Sequence, residues 1–419
     1  MEWDLLSPNG LLPTLKIKES NKHSVLNLIR FTSEGISRAG LARELGLSRA
    51  AITSIINDLM ELGVVRETST GPVTGGRRSK LLGINPQNGY VVGVDIGATH
   101  LGLVLADLSA QVLDEIVVGF DVKKGPEICL PQVDELLCQL IETANLSLGD
   151  IRAIGVGVPG PVVEQAGAVI APPIMPGWDH FPIRDHLTTL WNCPVALNND
   201  AELGALGEWA YGAGRGEPYL LYIKVGYGVG AGLLINGQVY RGATGSAGEI
   251  GHITINDQGP LCTCGNVGCL EALAGGRAIA ERAKLAIQQG RPRTQLALVK
   301  PVEAMSAIDV ASAAQMGDIF AQEIIAEAGE YLGIAIASLI NIVNPGMVII
   351  GGGVARMGDL FLEPIRSSVR KRSLEAAVNT LRITAATLGR RSTSMGSVVQ
   401  ALSIALCTIT EPKTELNHE

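Results

Sequence analysis

The tightest constraint on this chain is a cluster of soft metal ligands: His252, Cys262, Cys264 and Cys269, separated by nine, one and four residues. One imidazole and three thiols at that spacing form the ligand set of a closed tetrahedral zinc site, and the intervening glycines let the backbone wrap an ion. Three thiolates leave no open coordination position, so the pattern predicts one structural zinc per chain rather than a metal that activates water. Three unpaired buried cysteines are the bland alternative. The other cysteines, Cys129, Cys138, Cys193 and Cys407, are scattered. The N-terminus shows no basic segment followed by an apolar one. No run reaches the roughly 18 uninterrupted apolar residues of a membrane helix, and the best candidate, 331–351, is broken by Asn341, Asn344 and Pro345. A cytoplasmic chain without a membrane span is expected, with cysteines that meet metal rather than each other.

The net charge of −8 conceals an asymmetry. Residues 16–80 hold 11 Lys/Arg and 6 Asp/Glu, a balance of +5, which leaves −13 for the rest. Within that basic stretch the periodicity is helical. After an arm over 1–20, residues 21–31 place Val25, Leu28 and Ile29 on one face; Ser37 caps a helix carrying Leu41, Ala42 and Leu45; Gly46 ends it. Ser48 caps a third helix, in which Ile52, Ile55, Ile56 and Leu59 recur at helical spacing, and Gly63 ends it. The opposite face then displays Arg49, Ala50, Thr53 and Asn57, side chains suited to base edges in a major groove. Two short strands, 64–68 and 79–84, joined by a basic Gly-rich segment with Arg77 and Arg78, complete a winged helix-turn-helix over 21–86. The implied partner is double-stranded DNA, with the two arginines reaching a minor groove. A three-helix domain for protein contacts is the alternative. Paired recognition helices call for an inverted-repeat operator bound by an even number of chains, a homodimer or homotetramer.

From Tyr90 onward, strands alternate with helices, as in an α/β domain. Residues 91–107 read as a hairpin whose turn region carries Asp95, Gly97 and Thr99; residues 220–235 form a second, with Gly226, Tyr227 and Gly228 at its turn. The chain reads as two related lobes. A third glycine loop, with Gly352, follows the apolar run 347–351. Consecutive amides in such turns can receive phosphates, although Gly-rich hairpins are also common structural turns. Asn199 and Asp200 stand at a strand end, where the carboxylate can orient or deprotonate a ligand hydroxyl, or the pair can simply cap a helix.

Taken together, Glu249-Ile250-Gly251-His252, the Cys262, Cys264, Cys269 set, Gly157-Val158-Pro159-Gly160 and Pro176-Gly177-Trp178 resemble the motifs of the ROK family, which unites bacterial sugar-dependent repressors and sugar kinases. The resemblance covers roughly residues 88–410, and the winged helix before it is similar to that of the family's regulators. It implies a two-lobed actin-like ATPase fold: 88–198 with about 388–419 as the first lobe, and 199–387 as the second, zinc-bearing lobe. It also implies that Asn199, Asp200, Glu249, His252 and Glu271 hold a monosaccharide, and that Asp200 is the catalytic base if the chain is a kinase.

The departures from the kinases lie in the phosphate half. Ala98 and His100 replace a Gly and a Lys in the first hairpin, Tyr227 replaces a Thr in the second, and Glu202 stands where kinases have Asn. Asp95, Gly97, Thr99, Gly226, Gly228 and Gly352 therefore read as a degenerate nucleotide site, and ATP is not expected as a cofactor. Glu202 is expected to face an approaching anion and disfavour it, and no cation for a sugar phosphate is evident near the motifs. The expectation is a sugar-responsive repressor of carbohydrate uptake or catabolism genes with a kinase-like sensor that is not an enzyme. The rivals are an ATP-dependent sugar kinase with a DNA-binding attachment and a sensor that answers to a protein partner.

Overall fold

A computed structural model describes residues 17–32, 35–70, 79–290, 294, 296 and 301–410. Helix α1 (Ile17–Phe31) begins inside the expected arm, so a boundary at residue 20 falls within a helix. Ser37 caps α2 (Arg38–Leu45) by accepting from the Gly40 N–H at 3.1 Å, and Gly46 ends it at φ 64°, a left-handed conformation that glycine adopts freely. Ser48 caps α3 (Arg49–Glu61) in the same way. Ile52, Ile55, Ile56 and Leu59 are buried, while Arg49, Ala50, Thr53 and Asn57 are exposed. The wing has one more strand than expected: β1 (Ile36–Ser37) pairs with β3 (Lys80–Ile84), which pairs with β2 (Val65–Thr70). Two residues carry no periodicity, so β1 had no sequence signal. Arg77, Arg78 and the loop that holds them lie outside the described residues.

The two lobes share one topology. In the first, β4 (Tyr90–Ile96), β5 (His100–Asp107) and β6 (Val112–Gly119) form an antiparallel meander; β7 (Ile151–Val158) and β10 (Val195–Asn199) extend the sheet in parallel from β4. A small hairpin, β8 (Val162–Val163) with β9 (Ala168–Val169), lies apart. In the second lobe β11 (Tyr219–Val225), β12 (Val229–Ile235) and β13 (Gln238–Val239) form the meander; β14 (Met347–Gly351) and β15 (Arg382–Ala385) extend it in parallel from β11. Apolar cores fill each lobe. Helices α4 (Pro126–Thr143) and α5 (Ile183–Trp191) cover the first, and the long helix Ile319–Val343 packs on Asp359–Arg372 in the second.

Two helices join the lobes. α6 (Asp200–Tyr211) packs on β11 and β12, the closing helix Ser392–Thr410 packs on β4 and β7, and the two helices pack on each other. They approach backbone to backbone: a Cβ at Gly396 would lie 1.8 Å from the Leu203 carbonyl oxygen, and one at Gly207 would lie 2.2 Å from that of Ser392. Buried Glu208 ties α6 to the start of the closing helix by accepting from Leu388 N at 2.9 Å and Ser392 Oγ at 2.8 Å. The apolar window ending at Thr410 is long enough to cross a bilayer, yet 67% of it is buried inside the fold.

The winged helix is not a loose appendage. Val25, Leu26 and Ile29 of α1 share one core with Leu82 of the wing and with Val91, Val104, Met395, Val398 and Leu402 of the first lobe. Arg30 donates to the Val399 carbonyl at 2.9 Å and to Ser403 Oγ at 3.3 Å, and the Phe31 ring meets Trp209 of α6 edge-on at 5.2 Å. The closing helix thus carries both domains. Because no side chain fits at its crossing with α6, Gly396→Val should lose about 3 kcal/mol or more, the upper end of overpacking costs, since backbone rather than a movable side chain opposes it. Chemical denaturation of the full chain, compared with a conservative change at exposed Ile342, checks this.

Candidate functional site

Between the lobes lies a cavity of about 710 Å³, and its wall includes Asn199, Asp200, Glu249, His252 and Glu271. The ligand set implied by the sequence is thus brought to one cleft from three separate segments. Asn199 is the N-cap of α6: its Oδ1 accepts from the N–H groups of Ala201 and Glu202, and its Nδ2 donates to the Gly160 carbonyl at 3.0 Å. Capping and cleft placement are therefore both true of it, and one amide hydrogen is left for a ligand. Glu271 accepts from the Val229 N–H at 3.1 Å and from Thr263 Oγ1 at 3.3 Å, joining the second hairpin to the cysteine loop. Burial, with the Asp200 and Glu271 charges adding, pushes the Glu249 carboxyl up to about 7.

The cysteine loop fits a tetrahedral ion. Its four ligand atoms lie within 4.8 Å of one another. Cys264 Sγ stands 3.8 Å from Cys269 Sγ, and Cys262 Sγ stands 3.7 Å from His252 Nδ1. Sulfurs bound tetrahedrally at about 2.3 Å would be about 3.8 Å apart, so the Cys264–Cys269 separation is one that a tetrahedral metal ion could bridge. The remaining ring nitrogen, His252 Nε2, faces Glu249 Oε2 at 4.0 Å on the cavity side. One imidazole therefore serves both places, with a metal-facing and a cleft-facing nitrogen.

In the other half of the cleft the chain's own side chains bond to one another along the wall. His100 has a partner: its Nε2 lies 3.0 Å from Asp95 Oδ2, and its ring packs on Gly97, which leaves Gly97 behind the wall. Thr99, Gly226, Gly228 and Gly352 line the cavity with Asp95. Tyr227 accepts a hydrogen bond from Lys123 Nζ of the first lobe at 3.0 Å, so the ring that replaces a small hydroxyl also bridges the cleft. Lys224 donates to Asp200 Oδ2 at 2.9 Å and Thr393 Oγ1 at 3.1 Å, and lies 3.6 Å from Asp95 Oδ1. Burial works against its charge, yet Asp200 and Asp95 outweigh it and hold the ammonium protonated above the ordinary lysine range. Burial likewise opposes ionisation of Asp95, and Lys224 with His100 still holds that carboxyl below its ordinary range.

Two expectations are corrected here. Cations do reach this cleft: Lys224, Arg277, Lys284 and Arg390 are on its wall. Sequence reasoning passed over Lys224 because it read the segment as a hairpin; the signal was a single charge inside the apolar run 220–225. Glu202 does not face an incoming anion. It is buried, and Oε2 accepts from Arg241 Nε at 3.2 Å; with the Asn198 amide turned to suit its neighbours, Asn198 donates to the same carboxylate at 3.0 Å. A residue near Asp200 in sequence points elsewhere because successive helical positions diverge by about 100°.

The ROK family model matches residues 91–403. The chain is 33% identical to the xylose repressor of Caldicellulosiruptor bescii over 387 residues, which is 92% of this chain and 96% of that protein. Among solved structures it is similar to a ROK family transcriptional regulator described as a homologue of E. coli MLC, at TM-score 0.78 and 29% identity, covering 94% of this chain and 98% of that one. A ROK family glucokinase from Streptomyces griseus, solved with glucose and AMPPNP, aligns at TM-score 0.67 and 31% identity, covering 75% of this chain and 99% of the other. With its paired five-stranded lobes and an additional N-terminal winged unit, this chain belongs to the ROK family, in its regulator branch.

Burial lifts Glu202 to about 7, with Arg241 opposing and Glu164 and Glu249 assisting. A carboxyl raised in the fold takes up a proton on folding, so its contribution is fully present below about pH 4.5 and is lost as pH rises through about 7. The melting temperature of the wild type, measured relative to Glu202→Gln, should therefore fall across that window and then level off. A difference that stays flat with pH counts against the assignment.

Proposed function

We propose that the chain is a sugar-responsive transcriptional repressor whose winged helix holds operator DNA and whose two-lobed domain senses a neutral monosaccharide without phosphorylating it. The observation that carries this reading is the division of the cleft. Its hydroxyl-binding half presents an amide, carboxylates and an imidazole, while its phosphate half is crossed by Lys224, His100 and Tyr227, each bonded to another part of the chain. Such a set donates to and accepts from several vicinal hydroxyls at once. A site built this way discriminates strongly, because a missing hydroxyl leaves buried groups unpaired. Similarity to a xylose repressor makes pentoses the first sugars to try.

On the same reading Arg49, Ala50, Thr53 and Asn57 read base edges, joined by Ser54, which is also exposed on α3. Chains would pair on an inverted repeat, and a protein engaged with operators works in the cytoplasm. Bound sugar shifts the equilibrium between lobe arrangements by no more than its differential affinity for them. His252, Cys262, Cys264 and Cys269 would hold zinc, which supplies a rigid cross-link and no open coordination position.

Calorimetry of the full chain against D-xylose, D-glucose, N-acetyl-D-glucosamine and their phosphates, with and without Mg-ATP, tests the sensor. One neutral sugar should bind without ADP release; turnover with Mg-ATP, or selective binding of a sugar phosphate, overturns the proposal. For DNA, a duplex selected from a random pool should show an inverted repeat, and Arg49→Ala or Asn57→Ala should cost roughly 1–3 kcal/mol on it. Elemental analysis should return about one zinc per chain. Cys264→Ser should lose the metal, and sugar affinity should fall with it through the shared imidazole.

A further inference from the structure

The cleft contains a charge arrangement that sugar recognition alone does not require. Asp95 projects from β4 of the first lobe and is almost wholly buried, with its side chain 3% exposed. One of its oxygens is taken by His100; the other, Oδ1, is buried without a hydrogen-bond partner and points toward Lys224 Nζ at 3.6 Å. Asp200, at the start of α6, reaches the same ammonium from the other side at 2.9 Å, and Thr393 of the closing helix completes the surround at 3.1 Å. Two carboxylates and a hydroxyl, converging from three elements beside an open cavity, are the oxygen donors of a hard divalent cation. The Lys224 side chain occupies the space between them.

We propose that the Lys224 ammonium is the resident cation of the effector site, standing between Asp95 and Asp200 where these carboxylates would otherwise draw a divalent ion, and so freeing sugar binding from any need for a divalent ion between them or for nucleotide. This rests on the sensor reading of the same cleft. With the lysine present, Asp95 and Asp200 each face a fixed positive charge, and Asp200 keeps its second oxygen for a sugar hydroxyl. Take the ammonium away and buried Asp95 confronts half-buried Asp200 across a gap, a repulsion that tends to open the lobes. A lysine in that place converts a cation-dependent cleft into one that is always charged and ready.

The test is Lys224→Ala, which removes the stem and leaves room for a small cation, read in two ways on the full-length protein in buffer free of divalent ions. First, Mg²⁺ or propylammonium, which restores the missing atoms, should raise the melting temperature of Lys224→Ala and leave the wild type unchanged. This arm needs no sugar, so it remains decisive if no sugar in the panel binds. Second, the sugar the wild type prefers should bind Lys224→Ala at least about tenfold more weakly, with Mg²⁺ or propylammonium recovering most of the loss. Lys224→Met, which fills the gap with an uncharged stem, should be equally weak and indifferent to either cation; it also substitutes if the alanine variant does not fold. The proposal is overturned by a melting temperature of Lys224→Ala unmoved by both cations, by sugar affinity within about twofold of wild type, or by a wild type whose sugar affinity requires Mg²⁺.

Discussion

Everything in this molecule rests on the backbone-to-backbone crossing of α6 with the closing helix Ser392–Thr410. At Gly207 and Gly396 there is no room for even a methyl group, so the two main chains set the distance between the helices and, through them, between the lobes. The N-terminal ends of the same helices present Asp200 and Thr393 to Lys224, and Glu208 clamps them where the chain enters the closing helix. The cleft and the helix crossing beneath it are one construction. A change of a few degrees in the crossing moves Asp200, which travels with the second lobe, relative to Asp95 on β4 of the first.

What could be read from the sequence depended on how local the signal was. The metal ligands lie close together in the chain and have a chemistry few other patterns share, so their clustering needed no tertiary information. Helices α2 and α3 announced themselves through Ser37, Gly46 and Ser48 together with a helical apolar stripe. The sugar set was visible only through resemblance, because Asn199, Glu249 and Glu271 are brought together by lobe topology rather than by spacing. Lys224, Lys123 and Arg241 could not be placed at all: each acts through a partner more than twenty positions away, and an isolated charge says nothing about which group it will meet. Glu202 shows the converse error, since proximity in sequence to Asp200 suggested a shared role that the turn of the helix denies.

The histidine shared by the metal cage and the cleft explains why a structural ion would sit so close to a ligand site. An imidazole whose Nδ1 is fixed by a metal has its tautomer settled, and its Nε2 becomes an N–H donor in a defined direction. Glu249 opposite is an acceptor when ionised, and its environment favours the neutral form more than usual. With an ion in the cage, a ligand hydroxyl entering between them would meet a donor that cannot rotate away and a carboxyl that can offer or accept a proton.

The docking of α1 bears on how such proteins are put together. Arg30 and Phe31 are seated on the closing helix and α6, and the apolar interior of the winged unit runs without interruption into the back of the first lobe. The winged unit is therefore not a portable module. Transplanted alone to another sensor it would carry a bare apolar flank, and the sensor left behind would expose the outer side of its closing helix. Any lineage that joined these parts had to remodel both surfaces together, which makes swapping recognition helices within the winged unit a far easier route to new specificity than exchanging whole domains.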